Sequence, residues 1–87
     1  MKIRRTDAFI KQTARLLKGD PRLGNAIAEC LERLVTSPRP PGLRVKRLQS
    51  LAGKWETRVN RNIRIIFSLE EDGILLEAIG SHDDVLP

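Results

Sequence analysis

The chain has no tyrosine and only one tryptophan, one histidine, one cysteine and two phenylalanines in 87 residues. Phe9, Trp55 and Phe67 are too few to build a surface on which successive nucleic-acid bases stack, and at least two of them sit in apolar stretches that read as core. The lone Cys30 cannot close an internal disulfide. Its place on the apolar side of a helical stretch reads as packing rather than as a nucleophile. With no Cys/His clusters, a structural zinc site is excluded. Asp83 and Asp84 adjoin but have no third ligand nearby, so they read as a solvated turn. Neither a metal nor any other cofactor is expected. Uncharged apolar runs are only a few residues long, and Met1 is followed at once by Lys2, Arg4 and Arg5. A membrane span, a membrane partner and a secretory signal are therefore not expected, and a cytoplasmic setting is.

What is present suits one small folded unit, expected to be a single domain over residues 1–87. Hydrophobic residues make up 40% and charged residues 31% of the chain, enough to form a core and to avoid disorder along the whole length. The net charge of +5 conceals an asymmetry. All 16 Lys and Arg lie in residues 1–69 beside five acids (Asp7, Asp20, Glu29, Glu32 and Glu56), a balance of +11. Residues 70–87 hold six acids and no Lys or Arg. The densest stretch runs from Arg39 to Arg64, where Arg39, Arg44, Lys46, Arg47, Lys54, Arg58, Arg61 and Arg64 face the single acid Glu56. A polyanionic partner follows, because each phosphate neutralised by Lys or Arg releases condensed counterions.

Local patterns divide the chain into a helical half and a strand half. Thr6 or Asp7 can cap a first helix with apolar positions Phe9, Ile10, Leu16 and Leu17, ending at Lys18-Gly19. Asp20-Pro21 is an acidic cap with proline at the first helical position, and Leu23, Ile27, Cys30, Leu31, Leu34 and Val35 extend one apolar face. Thr36-Ser37-Pro38-Arg39-Pro40-Pro41-Gly42 stops that helix. From Leu43 the period becomes two, predicting strands over 43–49, 54–60, 62–69 and 74–80, with Asp72-Gly73 as a hairpin turn. Lys2 to Arg5 is at most a short opening strand. The links between the later strands are too short for parallel crossovers. The expected fold is α+β, an N-terminal helical hairpin packed on a four-stranded antiparallel meander.

A meander gathers alternate strand ends at one edge, which would bring together Arg44, Arg58, Arg61, Arg64 and His82. Arginine offers a fixed fork of donors to phosphate oxygens, and histidine moves protons near neutral pH. That set suits metal-free RNA cleavage, in which a 2′-OH attacks the neighbouring phosphate. His82 would be the acid or base, with Arg58, Arg61 and Arg64 stabilising the developing charge. A plainer reading makes His82 an exposed turn residue held by Asp83 or Asp84. For Glu56, pairing with Lys54, Arg58 or a cross-strand arginine is favoured over service as a base.

Three patterns in order, Gly53-Lys54-Trp55-Glu56-Thr57-Arg58-Val59, Arg64-Ile65-Ile66-Phe67 and Ala78-Ile79-Gly80-Ser81-His82-Asp83-Asp84-Val85-Leu86, resemble the RelE/ParE superfamily of toxin-antitoxin toxins. The resemblance covers nearly the whole chain and implies two helices on an antiparallel sheet. It also implies a function: RelE-branch members cut mRNA in the ribosomal A site, while ParE-branch members poison DNA gyrase. By position, Arg64 matches the arginine that contacts the scissile phosphate, and His82 falls at the C-terminal catalytic Arg or His. Arg58 matches the arginine after the tryptophan-like position, and Arg44 and Lys46 fall at basic positions. Together with Arg47, Lys54 and Arg61 these last two form the expected RNA- and ribosome-binding set. The implied partners are a cognate antitoxin, in a hetero-oligomer with the toxin, and the ribosome with its mRNA. Where relatives often end in an aromatic this chain has Leu86, which keeps a gyrase inhibitor or an inactive RelE-fold interaction module as alternatives.

Overall fold

A computed structural model describes residues 2–36, 46–47 and 53–85 of the chain. The elements run β1 (Lys2–Arg5), α1 (Asp7–Gly19), α2 (Leu23–Thr36), β2 (Lys46–Arg47), β3 (Lys54–Arg58), β4 (Ile63–Glu70), β5 (Gly73–Ser81) and α3 (His82–Val85). The architecture is α+β, as the periodicity predicts.

Helix α1 begins where its capping chemistry dictates. The Thr6 hydroxyl accepts the Phe9 amide at 3.0 Å, satisfying one of the free donors of the first turn, and Asp7 adds a favourable negative charge. The helix closes as the Asp20 amide donates to the Leu16 carbonyl. The second start lies slightly later than Asp20-Pro21 suggests. Asp20 Oδ1 accepts the Arg22 amide at 3.1 Å and the Asp20 carbonyl accepts the Leu23 amide, so 20–22 form a turn and the regular helix starts at Leu23. Ile10, counted on the apolar face of α1, is 53% exposed, while its neighbour Phe9 is buried.

The sheet has five strands in the order β1-β5-β4-β3-β2. From β2 to β5 it is the expected antiparallel meander. β1 makes it mixed by lying parallel to β5, with Ile3 opposite Ile74 and Arg5 opposite Leu76. The entry into β5 admits this strand only because residue 73 is glycine: a Cβ there would lie 1.9 Å from the Lys2 carbonyl oxygen. Of the expected strand 43–49, only Lys46–Arg47 falls among the described residues.

Alternation gives the sheet two faces. Ile65, Phe67, Ile74, Leu76 and Ile79 form the core with Phe9 of α1 and Ile27, Cys30 and Leu34 of α2, and Trp55 packs against this cluster partly buried. The opposite face carries Lys54, Glu56 and Arg58 on β3 and Arg64 and Ile66 on β4. Glu56 and Ile66, opposite one another, are also buried, so this second face is not simply solvated. A register shift places Ile66 opposite Ala78 but Phe67 opposite Leu76, leaving Glu77 as an extra residue on β5.

Candidate nucleic-acid interface

Register now fixes what connectivity alone left open. Arg58 is the Cα partner of Arg64, Arg64 is the partner of Gly80, and Ile63 is the partner of Ser81. His82 follows Ser81 directly as the first residue of α3. Two arginines therefore stand side by side at the sheet end from which the chain passes into the histidine, and Arg61 sits exposed in the 59–62 connection at that same end.

The side chains differ in freedom. Arg58, Arg61 and His82 are exposed. Arg64 is not: its side chain is 14% exposed, and its Nε lies 2.8 Å from Glu56 Oε1, whose side chain is 2% exposed. Here the cross-strand pairing expected for Glu56 finds its partner. The contact is an ion pair through one carboxylate oxygen and one nitrogen. Glu56 Oε2 and Arg64 Nε and Nη1 are buried with no hydrogen-bond partner among the described residues, so the pair is close by distance without a well-directed N–H···O bond. Such unmet donors and acceptors are costly where water is excluded.

Lys54 is also engaged, its ammonium pairing with Glu77. The extra residue of the register shift is thus the acid that holds one of the expected RNA-binding lysines. Lys46 and Arg47 form β2, opposite Glu56 and Trp55 respectively. Arg44 lies outside the described residues.

The last turn is built on Ser81. Its hydroxyl accepts the Asp84 amide at 3.2 Å while Asp84 Oδ2 accepts the Ser81 amide at 3.4 Å, a reciprocal capping box across Ser81-His82-Asp83-Asp84. Asp84 therefore serves the backbone, and His82 keeps an exposed ring at the start of the turn. Gly80 lets α3 fold down closely, since a Cβ there would meet Asp84 Cβ at 3.2 Å and Val85 Cγ1 at 3.3 Å. Between α1 and this turn lies a cavity of about 240 Å³ bordered by Gln12, Arg15, Leu16, Ile79, Gly80 and Asp84. Gln12 Oε1 accepts the Ile79 amide at 2.9 Å, sealing the part of the β5 edge that β1 leaves uncovered.

Among the described residues, no group of His, Cys, Asp and Glu side chains is arranged to hold a metal ion. No helix among them is long and apolar enough to cross a membrane.

No family model matches the chain, and no curated protein matches it by sequence. Solved structures do match its fold. The YoeB/ParE toxin from Agrobacterium tumefaciens superposes with a TM-score of 0.83 at 18% identity, over 94% of this chain and 99% of that one. YafQ from Escherichia coli gives 0.82 at 19% identity, over 99% and 98%. The same toxin in the E. coli DinJ-YafQ toxin-antitoxin complex gives 0.78 at 21%, over 99% and 97%. The chain has the fold of RelE/ParE-type toxins along nearly its whole length, as the three sequence patterns imply.

Proposed function

We propose that this protein is the toxin of a type II toxin-antitoxin pair and acts as a ribosome-dependent mRNA endonuclease. The observation that supports this most is the juxtaposition of Arg58 and Arg64 on neighbouring strands beside the sheet end that leads into His82, within a fold shared with YoeB and YafQ toxins.

In the reaction a 2′-oxygen attacks the adjacent phosphorus as a base removes its proton. The bond from phosphorus to the 5′-oxygen then breaks, and an acid protonates that oxygen. The products are a 2′,3′-cyclic phosphate and a 5′-hydroxyl end. Arg64 and Arg58 offer donors to the phosphate oxygens as negative charge builds, and His82 moves a proton at one of the two ends. Arg61, Lys46 and Arg47, together with Arg44, supply sequence-independent backbone attraction. Lys54 joins them only by giving up Glu77. An acidic antitoxin segment is the natural counterpart of a chain with +11 over residues 1–69. A partner of this kind is supported by the DinJ-YafQ toxin-antitoxin complex and the YoeB-YefM complex, each of which contains a protein of this fold with a second protein.

The test is to incubate the purified protein with programmed ribosomes and map new mRNA ends. Cuts within codons that leave 5′-hydroxyls, abolished by His82→Gln and not by Arg15→Ala or Arg33→Ala on the helices, are expected. DNA breaks without mRNA cuts would indicate a gyrase inhibitor instead, and unaffected growth on induction without an antitoxin would indicate an inactive module.

A further inference from the structure

We infer that Glu77 is a specificity-determining residue of the basic sheet face: its carboxylate occupies Lys54 in the place that a phosphate of single-stranded RNA would take, and so sets how strongly this face holds RNA. The inference rests on the RNA-binding reading above for the identity of the ligand, and on the geometry of the pair for everything else.

Three observations carry it. First, the contact is directional and sheltered. The Lys54 ammonium donates to Glu77 Oε2, and the two side chains are 31% and 22% exposed. Salt screens such a pair less than one in open solvent. Second, the fold builds Glu77 into place. It is the extra residue of the register shift between β4 and β5, and a bulge of this kind re-aims a side chain. The Glu77 carbonyl accepts the Thr6 hydroxyl at 2.8 Å and the Leu76 carbonyl accepts the Thr6 amide at 3.0 Å, so the residue that caps α1 also fastens the bulge. Third, Lys54 shares its face with the arginines. Lys54 and Arg58 are four residues apart on β3, about 13 Å at the rise of a strand. β4 separates β3 from β5, so the Glu77 carboxylate meets Lys54 by crossing β4 on that face.

The consequence is a competition. A carboxylate attached to the same sheet acts at an effective concentration of about millimolar or more, with no entropy of association to overcome. A phosphate arriving at Lys54 gains only the excess over that carboxylate, and it leaves Glu77 uncompensated beside another anion. Lys54 therefore contributes little to RNA that is not already anchored at the arginine end of the face. A pair that served the fold alone would have no such effect: its loss would lower stability and change RNA binding only through the net charge.

The test uses the full chain and a short oligoribonucleotide with 2′-methoxy sugars, which offers no 2′-OH for cleavage, with binding followed by fluorescence anisotropy across a range of salt. Glu77→Gln should bind it about 3- to 10-fold more tightly near physiological salt, with the slope of log K against log salt steeper by about 0.7, the value of one added phosphate contact on a single strand. Glu29→Gln, the same charge change at an exposed position of α2, should leave the slope unchanged. In a Lys54→Met background, Glu77→Gln should lose the slope change and most of the gain. Reductive methylation read by mass spectrometry should modify Lys54 more slowly in the parent than in Glu77→Gln, and the oligonucleotide should protect Lys54 in that variant. An equal gain with and without Lys54, or an equal gain from Glu29→Gln, would reduce the effect to bulk charge and overturn the proposal. So would a lower melting temperature in Glu77→Gln with RNA binding unmoved, or a parent Lys54 that methylates as fast as the variant's. A parent whose RNA binding shows this coupling but which cuts no mRNA on ribosomes would defeat the endonuclease reading and leave the role of Glu77 standing; cutting without the coupling would do the reverse.

Discussion

Arg58 and Arg64 face each other directly across β3 and β4, a like-charge pair at a position where opposite charges or β-branched residues would stabilise the sheet. Directly opposed like charges cost on the order of 0.2–1 kcal/mol. Glu56, on the same face two residues before Arg58, offsets part of that cost through its contact with Arg64. A sheet that keeps such a pair at its end is suited to receiving an anion there.

Arg58→Thr should therefore separate stability from binding. Removing the exposed member of the pair and substituting a good strand former should raise the melting temperature by roughly 1–5 °C. RNA affinity should fall at the same time, with the slope of log K against log salt becoming shallower by about one contact. A lower melting temperature with an unchanged salt slope would mean that Arg58 acts in the fold and not at a phosphate.

Arg64→Ala is a more hazardous substitution than a loss of activity would suggest. It leaves Glu56 charged and 2% exposed without its cation, a change expected to cost about 3–5 kcal/mol. That is comparable to much of the total stability of a domain this size. Replacing both members, as in Glu56→Leu with Arg64→Met, removes the buried charge altogether and should restore most of the loss. Urea denaturation of the two single variants and the double variant checks this. Additive losses would show that the two residues are not energetically coupled.

Much of this architecture was legible from residue order. The Thr6-Asp7 start of α1 is set by local hydrogen bonding, and the meander by links too short for any parallel crossover, so both could be read without a structure. The convergence of Arg58, Arg64 and the approach to His82 followed from the meander alone. What could not be read depends on register and on distant pairing. Whether Glu56 meets Lys54, Arg58 or Arg64 is decided by which residues face each other across β3 and β4, and no periodicity encodes that. The shift between Ile66 and Phe67 that makes Glu77 the extra residue on β5, and the capture of Lys54 by this glutamate, have no local signature. The parallel docking of β1 joins residues some seventy positions apart in sequence, and its one clue is the glycine at the start of β5.

In Gly73→Ala the new methyl would fall within 1.9 Å of the Lys2 carbonyl oxygen and 2.9 Å of the Lys2 nitrogen, all backbone atoms that cannot rotate away. β1 should detach at its start, costing about 1–3 kcal/mol. Hydrogen exchange should show the Lys2 amide, which donates to the Asp72 carbonyl, losing protection while the β3–β4 amides keep theirs. Uniform loss of protection across the sheet would show instead that β1 is integral to the cooperative unit.

Alkaline pH acts on the one thiol of the chain. Cys30 is 3% exposed between the helices and the sheet, with its Sγ 3.6 Å from the Arg58 carbonyl oxygen. Burial raises its pKa above the ordinary thiol value, an effect that a hydrogen bond with Thr57 and the charge of Arg33 only partly oppose. An acid whose folded pKa is raised holds its proton more tightly in the folded state than in the unfolded one. The associated stability is fully present below the unfolded thiol pKa and is lost as pH climbs from about 8.5 toward the folded value. The parent should therefore lose stability between neutral pH and about pH 10 more steeply than Cys30→Ala does, although the variant is less stable at pH 7 by about 1–2 kcal/mol from lost packing. Denaturant titrations of both proteins across that range check the difference in slope. Parallel curves would mean that the thiol ionises in the folded protein as readily as in the unfolded chain. Alkylation should be equally telling: the folded protein should react with iodoacetamide far more slowly than the urea-unfolded chain, because attack requires the thiolate that this site disfavours.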